Sequence, residues 1–158
     1  MGDFEIPNDD DVSPADIKQE AALRNADLSN ARLSRADLSN AYLGKVDLSN
    51  ADLSNADLSN ARLNRADLSN ARLSGADLSN AKLSDADLSN ADLSNADLSN
   101  ANLSNAYLVS AEITAIDARG ARFENAHLGS VKINGETENF RALQYITQRG
   151  GQFNTQIN

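Results

Sequence analysis

The chain of 158 residues has no cysteine, no tryptophan, one methionine, one histidine and two prolines. Without cysteine, neither a disulfide framework nor a thiolate metal site can be built. That suits a reducing compartment without requiring one. The single histidine, His127, has no nucleophile patterned beside it, and no acid–base constellation for enzymatic chemistry is in sight. It reads as a solvent-facing variant rather than a catalyst. Aromatic residues make up only 4%, sparse for a nucleic-acid surface that interleaves rings with basic groups. No apolar run is long enough to cross a bilayer. The opening residues, Met1 to Pro7, lack the basic and apolar regions of a secretory signal. A cytoplasmic location is the default expectation, although a processed chain would lack a signal as well. No cofactor, nucleic acid or membrane partner is expected.

Basic residues are also in deficit, and the net charge is −9. Its distribution matters more than its size. Residues 1–20 carry seven acids against Lys18, a net of −6, whereas residues 21–135 hold 14 acids and 11 bases. An acidic leader therefore precedes a nearly neutral body, which weakens any reading based on overall charge.

That body is one pattern. From Ala21 to Gly135 run 23 consecutive pentapeptides with no insertion or deletion, most of them reading Ala, polar, Leu, polar, polar. Ala26 to Asn30, Ala56 to Asn60 and Ala96 to Asn100 are all Ala-Asp-Leu-Ser-Asn. We number the positions of each unit one to five, starting at the alanine. A period of five suits neither a helix nor a plain strand. Positions one and three lie two apart, so in extended backbone they point the same way. The polar remainder must hold a turn, where Ser, Asn and Gly are favoured. A short strand and a turn repeated in this way coil into a solenoid, each unit burying its apolar face only against its neighbours.

The pattern resembles the pentapeptide-repeat family, whose motif has a small residue, Asp or Asn, a central Leu or Phe, a Ser-like residue and a variable fifth. The resemblance implies an all-β solenoid, a right-handed quadrilateral β-helix with four units per coil. Residues 20 apart would then stack at about 4.8 Å, in nearly six coils with short α-helical caps at both ends. Leu43, Leu63, Leu83 and Leu103 lead to Phe123 in one interior column. One unit departs: Ile116 stands at its small position and Ala118 at its centre, a volume swap that keeps core density.

The expected organisation is an acidic disordered leader over residues 1–12 and a capping helix over 13–22, with Ser13 as N-cap and Pro14 in its first turn. Ile17 and Ala21 are expected to cover the first coil. After the repeats, residues 136–158 form a C-terminal capping helix and tail. Phe140, Leu143 and Ile146 share one side of that helix, as a core lid or as the contact of a homodimer through the C-terminal end.

Four units per coil sort the exterior into four faces. One acidic face carries Asp27, Asp47, Asp67 and Asp87, followed by Tyr107 and His127; the opposite face carries Asp37, Asp57, Asp77, Asp97 and Asp117. Between them a basic face holds Arg24, Lys45, Arg62, Arg65, Lys82 and Arg122 against Asp85 and Glu124. The acidic columns are candidate interaction faces, but local bonding of Asp to turn amides explains them without any ligand. A metal row is disfavoured, because each level offers one carboxylate where Ca²⁺ takes six or more oxygens. Asn columns such as Asn40, Asn60, Asn80 and Asn100 are expected to form ladders between turns.

The expected function is a non-enzymatic structural or protein-interaction rod with an unknown protein partner, as monomer or homodimer. The alternative comes from the resemblance: some family members imitate B-form DNA and bind DNA gyrase or another type II topoisomerase. B-DNA carries one charge per ~1.7 Å, so a rod of about 28 Å would need roughly 16 negative charges to match it. The repeat nets only −3.

Overall fold

A computed structural model describes residues 5–7, 13–129 and 131. Parallel bridges pair residues 20 apart without exception, from Ala22 with Tyr42 to Tyr107 with His127. Four pentapeptides therefore make one coil. The described units from Ala21 to Leu128 amount to about five and a half coils at that rise per residue pair.

A unit with Asp at position two disposes of its five amides in a fixed way. Taking Asp47 to Ala51, the position-two amide of Asp47 donates back to Ala26 of the previous coil (3.0 Å), and Leu48 donates forward to Asp67 (2.7 Å). Asn50 donates forward to Ser69 (2.9 Å), and Ala51 closes the turn onto Leu48 (3.1 Å). The remaining amide, that of Ser49, donates to the side chain of Asp47 (2.9 Å). Backbone groups that cannot reach water must find partners, and this unit supplies one for every N–H it has.

The turn sets the composition of position five. Residues there have φ between 54° and 61° where they are not glycine, with Gly75 at 68° and Gly120 at 75°. A positive φ at the third turn residue is the type II arrangement, which favours Gly or Asn. Asn accordingly fills 13 of the 20 non-glycine sites. The expected Asn side-chain ladders are not what joins these turns. Asn40, Asn60 and Asn80 are tied by backbone bonds to Ser59, Ser79 and Ser99. Among the described residues the side-chain amide bond between coils is Asn64 Nδ2 to Ser84 Oγ, at 2.6 Å. Asn is there for its backbone tolerance.

Positions one and three fill the interior. Leu43, Leu63, Leu83, Leu103 and Phe123 are wholly buried, and the alanines between them nearly so. Because alanine is small, leucines from four sides meet along the axis without a void being needed. In the departing unit Ala118 is buried and Ile116 packs partly buried against the core. Asp117 still pairs with Asp97, so the exchange leaves the register intact. The preceding turn is looser: Ile116 makes no bond back to Ile113 among the described residues, and the Thr114 hydroxyl is buried without a partner there.

The N-terminal end differs from expectation in two ways. The helix expected over 13–22 is a single 3-10 turn, Pro14–Asp16. Asp16 Oδ2 accepts from both the amide (3.0 Å) and the hydroxyl (2.7 Å) of Ser13. Glu20 already has the positive φ of position five, so the solenoid begins too early for a longer helix. Ile17 and Ala21 are nevertheless buried against the first coil. The leader, expected to be disordered through residue 12, has a docked stretch at residues 5–7. Glu5 bridges antiparallel to Arg32, accepting the Arg32 amide at 2.8 Å, a bond that elsewhere goes to the previous coil. Ile6 packs against the core edge, and the Glu5 carboxylate pairs with Arg32 at 3.0 Å. This covers an otherwise open edge. The C-terminal cap expected at 136–158, with Phe140, Leu143 and Ile146, lies outside the described residues.

Candidate interaction surface

The four faces are built from one backbone, so their side chains differ only in what they do with the same slot. At position two of the acidic faces, Asp Oδ1 accepts the amide two residues ahead. The bonds run Ser29 to Asp27 (3.0 Å), Ser49 to Asp47 (2.9 Å), Ser69 to Asp67 (2.9 Å) and Ser89 to Asp87 (2.9 Å). On the opposite face they run Ser39 to Asp37 (3.1 Å), Ser59 to Asp57 (2.9 Å), Ser79 to Asp77 (2.8 Å), Ser99 to Asp97 (2.7 Å) and Arg119 to Asp117 (3.1 Å). All nine carboxylates thus serve their own turns as Asx-type acceptors. Asn102 does the same for Ser104 (3.1 Å) without a charge.

These bonds act on protonation in the expected direction. The Ser29 hydroxyl, then its amide, holds the Asp27 carboxyl below the usual carboxylate value. Ser54 does so for Asp52 against an opposing effect of burial. Arg119 lowers Asp117 through a paired hydrogen bond from Nε and Nη2. A hydrogen bond to the charged form favours that form.

The basic face behaves differently. On the coils between Ala22 and Asn102 its position-two slots hold Tyr42, Arg62 and Lys82, none of which accepts the amide two residues ahead. Both Arg24 and Arg62 lie over the Tyr42 ring, at 5.6 and 4.8 Å from its centroid, within cation–π range. Lys45 and Arg65 occupy position five at φ of 59° and 60°. The five cations surround an open depression of about 570 Å³, whose lining also includes Gly44, Asn64 and one carboxylate, Asp85. A neighbouring hollow of about 440 Å³ shares Arg62 and Lys82. Sequence reasoning grouped these cations as one basic face and missed the depression. Gly44 was its signal, a glycine at position four where serine is usual.

A smaller feature lies further along the Asp27–Asp87 face. Tyr107 and His127 stack with ring centroids 4.5 Å apart and an interplanar angle of 11°. Val109 beside them is also exposed. Among the described residues no three His, Asp or Glu side chains are placed to share a metal ion. No helix among them is long and apolar enough to cross a membrane.

The chain is similar to several proteins of known structure. A pentapeptide repeat protein from Nostoc PCC 7120 is 32% identical, covering 80% of this chain and 84% of that one, with a TM-score of 0.42. Another, from the cyanobacterium Cyanothece 51142, is 36% identical over 57% of this chain and 58% of its own length, with a TM-score of 0.39. QnrB1, a plasmid-mediated fluoroquinolone resistance protein, is 21% identical over 84% of this chain and 81% of its own, with a TM-score of 0.46. No curated protein matches the sequence. The family model for Pentapeptide repeats matches in 8 copies over residues 19–55, 47–85 and 86–125, and the chain belongs to that family, whose members fold as right-handed quadrilateral β-helices.

Proposed function

We propose that the protein is a non-enzymatic interaction rod, a rigid scaffold that presents side chains in fixed rows to a protein partner. One observation carries this reading: the described interior is filled by leucine and alanine along the axis, so anything the rod binds must be met on its outer faces. Solenoids offer extended surfaces of this kind. A cytoplasmic location, and a C-terminal helical end serving as lid or dimer contact through Phe140, Leu143 and Ile146, belong to the same proposal.

The gyrase-directed alternative draws on the two opposed Asp faces. It is opposed by magnitude, since the repeat nets −3 against the roughly 16 charges of an equal length of duplex. The carboxylates of those faces are also engaged by turn amides. The Asn102 bond shows how charge and fold can be separated: Asn keeps the acceptor and removes the charge. Affinity purification with the full chain is expected to retain a protein other than a topoisomerase. In a supercoiling assay, gyrase is expected to be unaffected. Potent inhibition that is lost when Asp57, Asp77 and Asp97 are all replaced by Asn would overturn the reading in favour of DNA mimicry.

A further inference from the structure

We infer that the basic face is the docking site of an extended acidic protein segment, seated along the rod axis in the depression beside Gly44. The inference rests on the interaction-rod reading and names the partner's chemistry. Three observations converge on it.

First, Arg24, Lys45, Arg62, Arg65 and Lys82 stand on four successive coils and outnumber the one carboxylate of the depression, Asp85, with which none of them forms an ion pair. The ion pairs among the described residues are Arg32 with Glu5 and Arg119 with Asp117, both elsewhere on the rod. Like charges on levels ~4.8 Å apart repel, and an anion laid between them relieves that repulsion.

Second, these residues occupy slots where the fold gains more from others. Arg62 and Lys82 give up the turn acceptor that Asp provides at position two. Lys45 and Arg65 hold a positive φ that suits Asn or Gly better. Arg62 recovers a contact on the Tyr42 ring, but Lys45, Arg65 and Lys82 gain no such contact, and local rules broken in this way point to a functional site.

Third, Gly44 has no backbone reason to be glycine. Its φ is not positive, and a Cβ there would meet nothing closer than the Asn64 carbonyl at 3.9 Å. What glycine provides is room. It opens the floor between Arg62 and Lys82 at position two and Lys45 and Arg65 at position five.

Shape then selects the class of anion. Three strand residues make a face roughly 10 Å wide, bordered by the columns of Asp47, Asp67 and Asp87 on one side and Asp57, Asp77 and Asp97 on the other. A broad polyanion such as a duplex would press its phosphates onto both columns. An extended peptide stays between them. Its side chains alternate to left and right, reaching both rows of cations, and four levels accommodate about four or five residues at ~3.4 Å each.

The test is fluorescence anisotropy of the full chain with a labelled hexaglutamate peptide, set beside a labelled oligothymidylate and a short duplex at the same ionic strength. The peptide is expected to bind, more weakly as salt rises. The Arg62→Glu/Lys82→Glu double variant is expected to weaken it at least tenfold, and Gly44→Gln, which fills the floor without backbone strain, several-fold. Arg35→Glu/Arg72→Glu, on the opposite face, is expected to change little. Thermal melts confirm that each variant folds. Peptide binding that ignores the basic-face variants, no binding of the peptide, or tighter binding of either nucleic acid overturns the inference. Affinity purification separates this from failure of the rod reading: a partner held equally by the unaltered chain and the Arg62→Glu/Lys82→Glu variant overturns the docking site alone, whereas no protein partner at all overturns both.

Discussion

Position two of the acidic faces and position two of the basic face are the same backbone slot with opposite uses. Asp57, Asp77 and Asp97 turn inward to their own chain and accept the amides of Ser59, Ser79 and Ser99. Arg62 and Lys82 make no such bond and project from a face with an open floor. The conspicuous acidic columns therefore belong mainly to the fold, and the less conspicuous basic face is the surface free to do something else. Magnitudes support this order. Carboxylates ~4.8 Å apart in water repel by about 1 kcal/mol before screening, while a hydrogen bond to a charged acceptor contributes about 1.5–3 kcal/mol.

If the difference is confined to the surface, the core beneath the two kinds of face should be equivalent. Leu83 lies under the basic face and Leu78 under an acidic one, both wholly buried. Each Leu→Ala substitution is expected to destabilise by about 2–5 kcal/mol, with similar values for the two in urea unfolding. A gap of several kcal/mol between them would show that the faces differ in packing as well. Ala118→Leu, in the unit where Ile116 supplies the volume, is expected to cost about 1–3 kcal/mol by overpacking. Adding Ile116→Ala to it should recover much of the loss, and a melting temperature raised by Ala118→Leu alone would end the volume-swap account.

Converting one kind of slot into the other sharpens the comparison further. Lys82→Asp places an acceptor in front of Ser84 and beside Arg62, and is expected to stabilise by about 1 kcal/mol in urea unfolding. Loss of stability would mean that Lys82 serves the fold after all. The acid limb of the stability curve tests the same bonds. Asp27 and Asp52 have lowered folded-state values relative to 3.8. Their contribution is therefore complete above the unfolded value and is lost as the pH falls through the folded one. Urea midpoints are expected to hold from neutrality to about pH 5 and to drop below about pH 4, a drop that Asp27→Asn combined with Asp52→Asn should diminish.

Much of this was legible beforehand because the repeat is so regular. Ala and Leu two residues apart identified the interior, and four units per coil placed Asp37 over Asp57 and Leu63 over Leu83. The role of Asn was misread, since a column of Asn suggests side-chain bonding while its backbone preference leaves no trace beyond its frequency. The N-terminal end was misread because Ser13 and Pro14 signal a helix start but say nothing of its length. The docking of Glu5 on Arg32 depends on an edge that exists only once the coil has formed. The basic depression was harder still. A lone Gly44 in a Ser position is a small departure, and its meaning comes from side chains 18 to 21 residues away.

The central claim is that the position-two carboxylates serve the fold chiefly as turn acceptors. It is tested most directly by comparing two triple variants of Asp57, Asp77 and Asp97 in thermal and urea unfolding. Replacement by Asn is expected to leave stability within about 1 kcal/mol, since the acceptor remains, while replacement by Ala is expected to remove about 3 kcal/mol or more. Equal losses in the two variants, or none in either, would contradict the account.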